Sequence, residues 1–333
     1  MSARAVTFGE ILHRLSTRHG WRFEQSTAYD SCFGGSEANV AVSLSLLGIP
    51  STFITRLPDH AIARKCIREL NGHGVDTSKI VISGERMGTY YVEPGRSFLG
   101  GQVLYDRRHS AIAELNADMI PWTTILNDAN WFHWSGITPA LSRDCFKSLA
   151  EAVEIAGKIK IPISVDLNYR QQLWSWTSSP VEYMTSLIGS CTLLKGGKNS
   201  IAKMLGIDGT GMSEIDLAGT IHSRFPQLKH IAFTRRTSHS ADYNTWQGVL
   251  WSEGKIFESQ EFEIRQIVDR IGTGDAFMAG LIYGLVHQKS SQETIDFATA
   301  AGAIKHSIHG DYNLVTLEEI EGLLRGEKIK LKR

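Results

Sequence analysis

Cysteine is scarce in this sequence and never clustered. Cys32, Cys66, Cys145 and Cys191 lie far apart with no Cys-x-x-Cys pair, which excludes a disulfide scaffold and suits a reducing compartment. Three of them fall in apolar or helical surroundings and read as small core residues. No apolar run approaches the length of a bilayer span. Net charge is missing as well. The 35 Lys and Arg balance 35 Asp and Glu, so nothing favours nucleic acid or an anionic membrane as partner. The stretch from Met1 to Val6 runs into Gly9-Glu10 without a signal-peptide core, and the expected location is cytoplasmic. Internal repeats and low-complexity linkers are absent, and the basic run Lys328 to Arg333 reads as a solvated tail.

Two familiar phosphate motifs are also lacking. A dinucleotide fingerprint needs a third glycine where Phe277 stands, and a P-loop needs a hydroxyl where Gly197-Lys198 is followed by Asn199. His306-x-x-His309 has no evident third ligand, so no protein-held metal site is assigned.

What is present is an α/β rhythm. The 333 residues, 42% of them hydrophobic, allow one large α/β domain with a small appendage or two modest domains. Apolar strands are expected at 6–8, 53–55, 131–134, 161–166, 192–194 and 230–234. Helices are expected from about 38 to 47, at 59–70, 142–159, 180–188, 200–205 and 214–225, and two long ones at 275–287 and 293–309. The last carries a capping-box pattern, Ser290 with Glu293. The stretches 247–251 and 255–262 read as a hairpin. Repeated βα units imply a doubly wound, mostly parallel sheet with helices on both faces. The rhythm breaks between 87 and 107, where the alternating aromatic runs 89–93 and 102–105 predict a second hairpin. With the extended segments near 11–16 and 29–33 it would make a small sheet, a lid of about residues 10–35 and 86–110.

The chemistry centres on Asp269-Arg270-Ile271-Gly272-Thr273-Gly274-Asp275. Gly272 and Gly274 permit a turn that a β-carbon would hinder, and Asp275 opens an apolar helix. Free amides and the dipole at such a helix start favour an anion. A carboxylate beside an anion site makes sense if it takes a proton from a hydroxyl while the amides hold a transferring phosphoryl group. A capped helix after a glycine turn is the plainer alternative. Gly34-Gly35-x-x-x-Asn39 offers bare backbone and an amide for hydroxyls, or simply a tight turn. Tyr105 and Arg107 share one face of a strand, where the arginine suits a carboxylate or solvent. Arg170 follows a strand ending at Asp166, where ligands of open α/β sheets bind.

These motifs resemble those of the ribokinase-like (PfkB) carbohydrate kinases over nearly the whole chain. In that family the glycine turn, here Gly272, Thr273 and Gly274, is an anion hole, and the Asp after it, here Asp275, is the base. Gly34, Gly35 and Asn39 match its sugar-binding motif. The likeness narrows to the 2-keto-3-deoxygluconate kinase branch through Tyr90, Tyr105-x-Arg107, Asp166-x-Asn168-Tyr169-Arg170 and Gly310-Asp311. The resemblance implies ATP with Mg²⁺, a sugar acid read by Arg107 and Arg170, hydroxyl contacts from Asp311, and an oligomer of identical chains built through the lid. It admits a monovalent cation near Asp269. Asn168, Lys195, Thr234, Arg235 and Arg236 are the expected nucleotide contacts. Two departures stand out. Gly197 and Ser200 occupy the places of an Asn-x-x-Glu used around Mg²⁺, and Thr234-Arg235-Arg236-Thr237 replaces a Gly-x-x-Gly turn. Both exchange acidic or bare surface for cations. A kinase of another sugar, and a sugar-acid sensor without catalysis, are the alternatives.

Overall fold

The computed structural model describes residues 4–18 and 20–327; the basic run 328–333 lies outside them. In chain order the strands are β1 (Ala5–Phe8), β2 (Leu12–Thr17), β3 (Tyr29–Gly34), β4 (Ser51–Ile54), β5 (Arg56–Leu57), β6 (Val81–Ile82), β7 (Thr89–Glu93), β8 (Gln102–Asp106), β9 (Trp131–Ser135), β10 (Ile163–Asp166), β11 (Leu193–Lys195), β12 (His230–Ser240), β13 (Tyr243–Ser252), β14 (Lys255–Glu258) and β15 (Phe262–Arg265). The helices are α1 (Ser36–Leu46), α2 (Ala61–Gly72), α3 (Trp122–Leu126), α4 (Thr138–Leu141), α5 (Arg143–Lys158), α6 (Pro180–Ile188), α7 (Lys198–Leu205), α8 (Glu214–Arg224), α9 (Thr273–Val286), α10 (Ser291–Lys305) and α11 (Leu317–Leu324).

Apolar patterning dictates the layers. β1, β4, β9 and β10 bury every residue, as strands covered on both faces do. They lie in a sheet ordered β14-β13-β12-β11-β10-β9-β1-β4, with β15 also on β13. The segment from β12 to β4 is parallel, while β13 to β15 pair antiparallel. One face packs against α3 and α5 to α8 through Trp122, Leu149, Met184, Ile201 and Leu217. The other packs against α1 and α9 to α11 through Val40, Phe277, Ile282, Ala298 and Ile320. α9 is apolar nearly all round and is buried accordingly.

The expected second sheet forms, ordered β3-β2-β7-β8. β2 pairs parallel to β7 and antiparallel to β3, so the two chain segments interlock. β8 is its edge and every residue of it is exposed. Among the described residues no helix is long and apolar enough to cross a membrane.

Several features differ from expectation, and the helix expected at 293–309 ends at Lys305. β12 does not end at Thr234 but runs to Ser240, paired with β13 apart from a bulge at His239. Thr237 and Ser238 carry no apolar alternation and are held by the backbone ladder, while His239, at the bulge, stacks its ring on Tyr243. The arm expected at 255–262 is split into β14 and β15, both on β13. α11 was not expected, although Thr316 and Glu319 form a complete capping box.

Candidate active site

A cavity of about 460 Å³ opens where the small sheet meets the carboxyl ends of β10 and β11 and the N-termini of α1 and α9. Gly34, Gly35, Asn39, Tyr90, Tyr105, Arg107, Arg170 and Asp311 line its lid side. Asn168, Lys195, Thr234, Arg236 and the Gly272–Asp275 turn line the other. Gly197 and Ser200 are on the wall too. Arg235 is not. Its guanidinium faces away, held by Glu214 at 2.9 Å, Glu258 at 2.9 Å and Gln247 at 3.1 Å. Neighbouring strand residues face opposite ways, and only Arg236 of the pair reaches the cavity. Lys198 likewise donates to the Met212 carbonyl. The expected basic cluster therefore reduces to Lys195 and Arg236, joined by Arg270.

The turn before α9 is shaped by close approach. Gly272 adopts φ +84°, and a Cβ there would run into the Asp311 carbonyl. Below it the first amides of α9 have no carbonyl four residues back to bond. Asp275, in that first turn, accepts from Asn39 Nδ2 at 2.7 Å and from Ser36 Oγ at 2.8 Å. Asn168 Nδ2 in turn donates to Ser36 Oγ at 3.1 Å, so this residue sits two hydrogen bonds from Asp275. Burial, reinforced by the Asp166 charge, holds the Asp275 carboxyl above its ordinary range; the two donors and Lys195 pull it back. Lys195 Nζ is salt-bridged to Asp166 at 2.7 Å and stands over Gly274.

On the lid side the charges are already paired. Arg107 stacks on Tyr105 and its Nη2 bonds Glu10, while its buried Nε has no partner. Tyr105 stacks on Tyr90. Asp311 accepts from Tyr90 at 2.6 Å and from Arg14 Nη1 at 2.8 Å. Arg14 Nη2 reaches Asp269 at 2.6 Å. Gly34 is required beside this group, since a Cβ would fall on the Asp311 carboxylate. Arg170 is exposed and, among the described residues, bonds only its neighbour's carbonyl, that of Tyr169. Beneath α1, Glu37 is fully buried. It accepts from Ser135 N, Ser135 Oγ and Thr138 Oγ1 at 3.0, 2.6 and 2.8 Å, and Oε2 has no partner. Burial raises its pKa to about 7.

Sequence reasoning missed Glu10, Arg14, Ser36, Glu37, Arg270 and Lys305. Two left a trace. Arg14 takes a buried position in β2, and Lys305 continues the buried stripe Thr294, Ala298, Ala301 of α10.

The chain as a whole has known counterparts. The profile of the pfkB family carbohydrate kinase matches residues 3–317. A 2-dehydro-3-deoxygalactonokinase of Haloferax volcanii is 33% identical over 327 residues, covering 98% of each chain. A 2-dehydro-3-deoxygluconokinase of Bacillus subtilis is 26% identical over 350 residues, covering 98% of this chain and 97% of its own. The crystal structure of 2-dehydro-3-deoxygluconokinase from Thermotoga maritima matches with a TM-score of 0.93 at 37% identity, covering 97% of this chain and 100% of that one.

Proposed function

The chain belongs to the pfkB family of carbohydrate kinases and has their ribokinase-like fold, and on that premise we propose that it transfers the terminal phosphoryl group of ATP to a 2-keto-3-deoxy sugar acid. 2-Keto-3-deoxygluconate, phosphorylated on its 6-hydroxyl, is the proposed substrate, and the names of the relatives support this class. One kinase domain spans residues 1–333, with lid segments at about 10–35 and 86–110, in the cytoplasm.

The observation that carries the reading is Asp275 set between two neutral donors beside the Gly272–Gly274 turn. In the proposed mechanism Asp275 takes the hydroxyl proton. The amides of Gly272, Thr273 and Gly274 hold the charge that grows on the transferring group, and Lys195, Thr234 and Arg236 orient the phosphates. Gly34, Gly35, Asn39 and Tyr90 hold the sugar, with Asp311 at its hydroxyls. Arg107 and Arg170 select an acid. Glu10 already offsets Arg107, so Arg170 brings the uncompensated charge. Mg²⁺ fits as a companion of ATP, where it neutralises phosphate charge. Asp166 also lines the cavity, and Lys195 already pairs with it.

The test is a coupled assay with Mg·ATP over 2-keto-3-deoxygluconate, its galactonate epimer, fructose and a nucleoside, with calorimetric titration of ATP. Turnover confined to the two acids supports the reading. Binding of the acids without any ATP binding would replace it with a sensor.

A further inference from the structure

Lys305 is the last residue of α10 and is wholly buried. A buried lysine is costly unless carboxylates offset it. Its Nζ donates to the Ile308 carbonyl at 2.9 Å, and its Cε lies 3.3 Å from where a Cβ of Gly272 would be. The ammonium is therefore lodged under the turn that holds the phosphoryl group. Burial lowers its pKa, while the charges of Asp269, Asp311 and Asp275 act in the opposite direction.

The likeness to the PfkB kinases admits a monovalent cation near Asp269, and the residues there do not fit one. Asp269 is engaged at both oxygens: Oδ2 takes Arg14 at 2.6 Å and Gly310 N at 3.1 Å, and Oδ1 takes Ile271 N at 3.0 Å. Asp311 is taken by Arg14 and Tyr90, and Ile308 O by Lys305 itself. Two carboxylates, Asp269 and Asp311, are ion-paired with Arg14, and the Lys305 ammonium, bonded to the Ile308 carbonyl, lies within the field of both. A metal ion would add charge to a cluster that already holds two protein cations and would compete for carboxylate oxygens that already accept hydrogen bonds.

We propose that the Lys305 ammonium is a built-in monovalent cation beneath the anion turn, so that this protein neither binds nor requires K⁺ or Na⁺ there. Lys305 is a positioning residue: it acts through the turn and does not touch substrate. The rate side of this inference rests on the kinase reading; the binding side does not.

The experiment compares the wild-type chain in potassium, sodium and choline chloride at one ionic strength, by thermal melting without substrate and by turnover. Equal melting temperatures and equal rates are expected. A melting temperature that climbs with K⁺ concentration, as binding to the folded state requires, overturns the proposal whether or not the protein turns over. Activation of the wild type by K⁺ overturns it as well. No turnover in any salt sinks the kinase reading alone. Lys305→Ala, which opens room for an ion, should lose on the order of tenfold in kcat, less than a donor in direct contact would cost. Ammonium or K⁺ should restore much of that loss, with the sugar-acid KM unchanged. An undiminished kcat in Lys305→Ala overturns the proposal, and if that variant fails to fold the wild-type salt series decides.

Discussion

Among the described residues no cation forms an ion pair with Asp275; its contacts are an amide and a hydroxyl. A salt-bridged carboxylate would be a poor base, because the cation would hold its pKa down. Asp275→Asn is expected to lower kcat by at least about a hundredfold, the scale of a lost general base, with sugar binding retained in calorimetry. Ser36→Ala removes one of the donors that hold the Asp275 pKa down. The acid limb of the kcat–pH profile should therefore move to higher pH; an unmoved limb would separate Asp275 from that titration. Arg170→Ala should weaken the acid by roughly 1–2 kcal/mol and leave a neutral sugar unaffected. Equal losses for both would show that Arg170 does not read the carboxylate. Glu37 makes a different, purely thermodynamic prediction. Its folded pKa of about 7 lies above the ordinary glutamate value of 4.5. The folded state thus binds the proton more tightly, and stability is present below about pH 4.5 and lost as pH rises to about 7. Glu37→Gln should be more stable than the wild type at pH 8, by about 3 kcal/mol, and the gap should close below about pH 4.5. A gap that is constant with pH would mean Glu37 is charged throughout.

At the scale of elements, the β12–β13 hairpin is where expectation and structure part. Alternating side chains send Arg236 to the cavity and Arg235 to Glu214 and Glu258 on the outer face. Arg235→Ala should leave the ATP KM near its wild-type value and reduce stability by about 1 kcal/mol; Arg236→Ala should raise the ATP KM. Reversed results would place Arg235 at the nucleotide. The buried strands and long helices were legible because their apolar periods are strong. The Gly272–Asp275 and Gly34–Asn39 turns stand out by their glycines, but each also reads as an ordinary turn, and the family resemblance is what singled them out. β12 beyond Thr234 was not legible, since Thr237, Ser238 and His239 are polar and the pairing of this stretch depends on a strand further along the chain. Nor were Arg14 and Lys305 assigned roles, because the carboxylates that make their burial tolerable come from residues 269 and 311.

For the whole molecule, the lid presents an unpaired edge. β8 is exposed along its length, with Leu104 46% and the adjoining Leu99 60% accessible. Such edges pair with other chains unless they are guarded, and two copies joined lid to lid would cover it. Leu104→Glu should shift the protein from dimer to monomer in sedimentation velocity, and a wild type that is monomeric at micromolar concentration would dismiss the assembly. Arg14 is the other feature of molecular reach. It belongs to lid strand β2, yet one of its nitrogens holds Asp311 on the sugar side and the other holds Asp269 at the root of the phosphate turn. If Asp311 serves the sugar and the turn after Asp269 the phosphate, as proposed above, Arg14 ties the two sites electrostatically. Such coupling is reciprocal: whatever factor the nucleotide applies to the affinity for the acid, the acid must apply to the affinity for the nucleotide. The two substrates of this chain should bind synergistically, and a kinetic description that treats their dissociation constants as independent should fail.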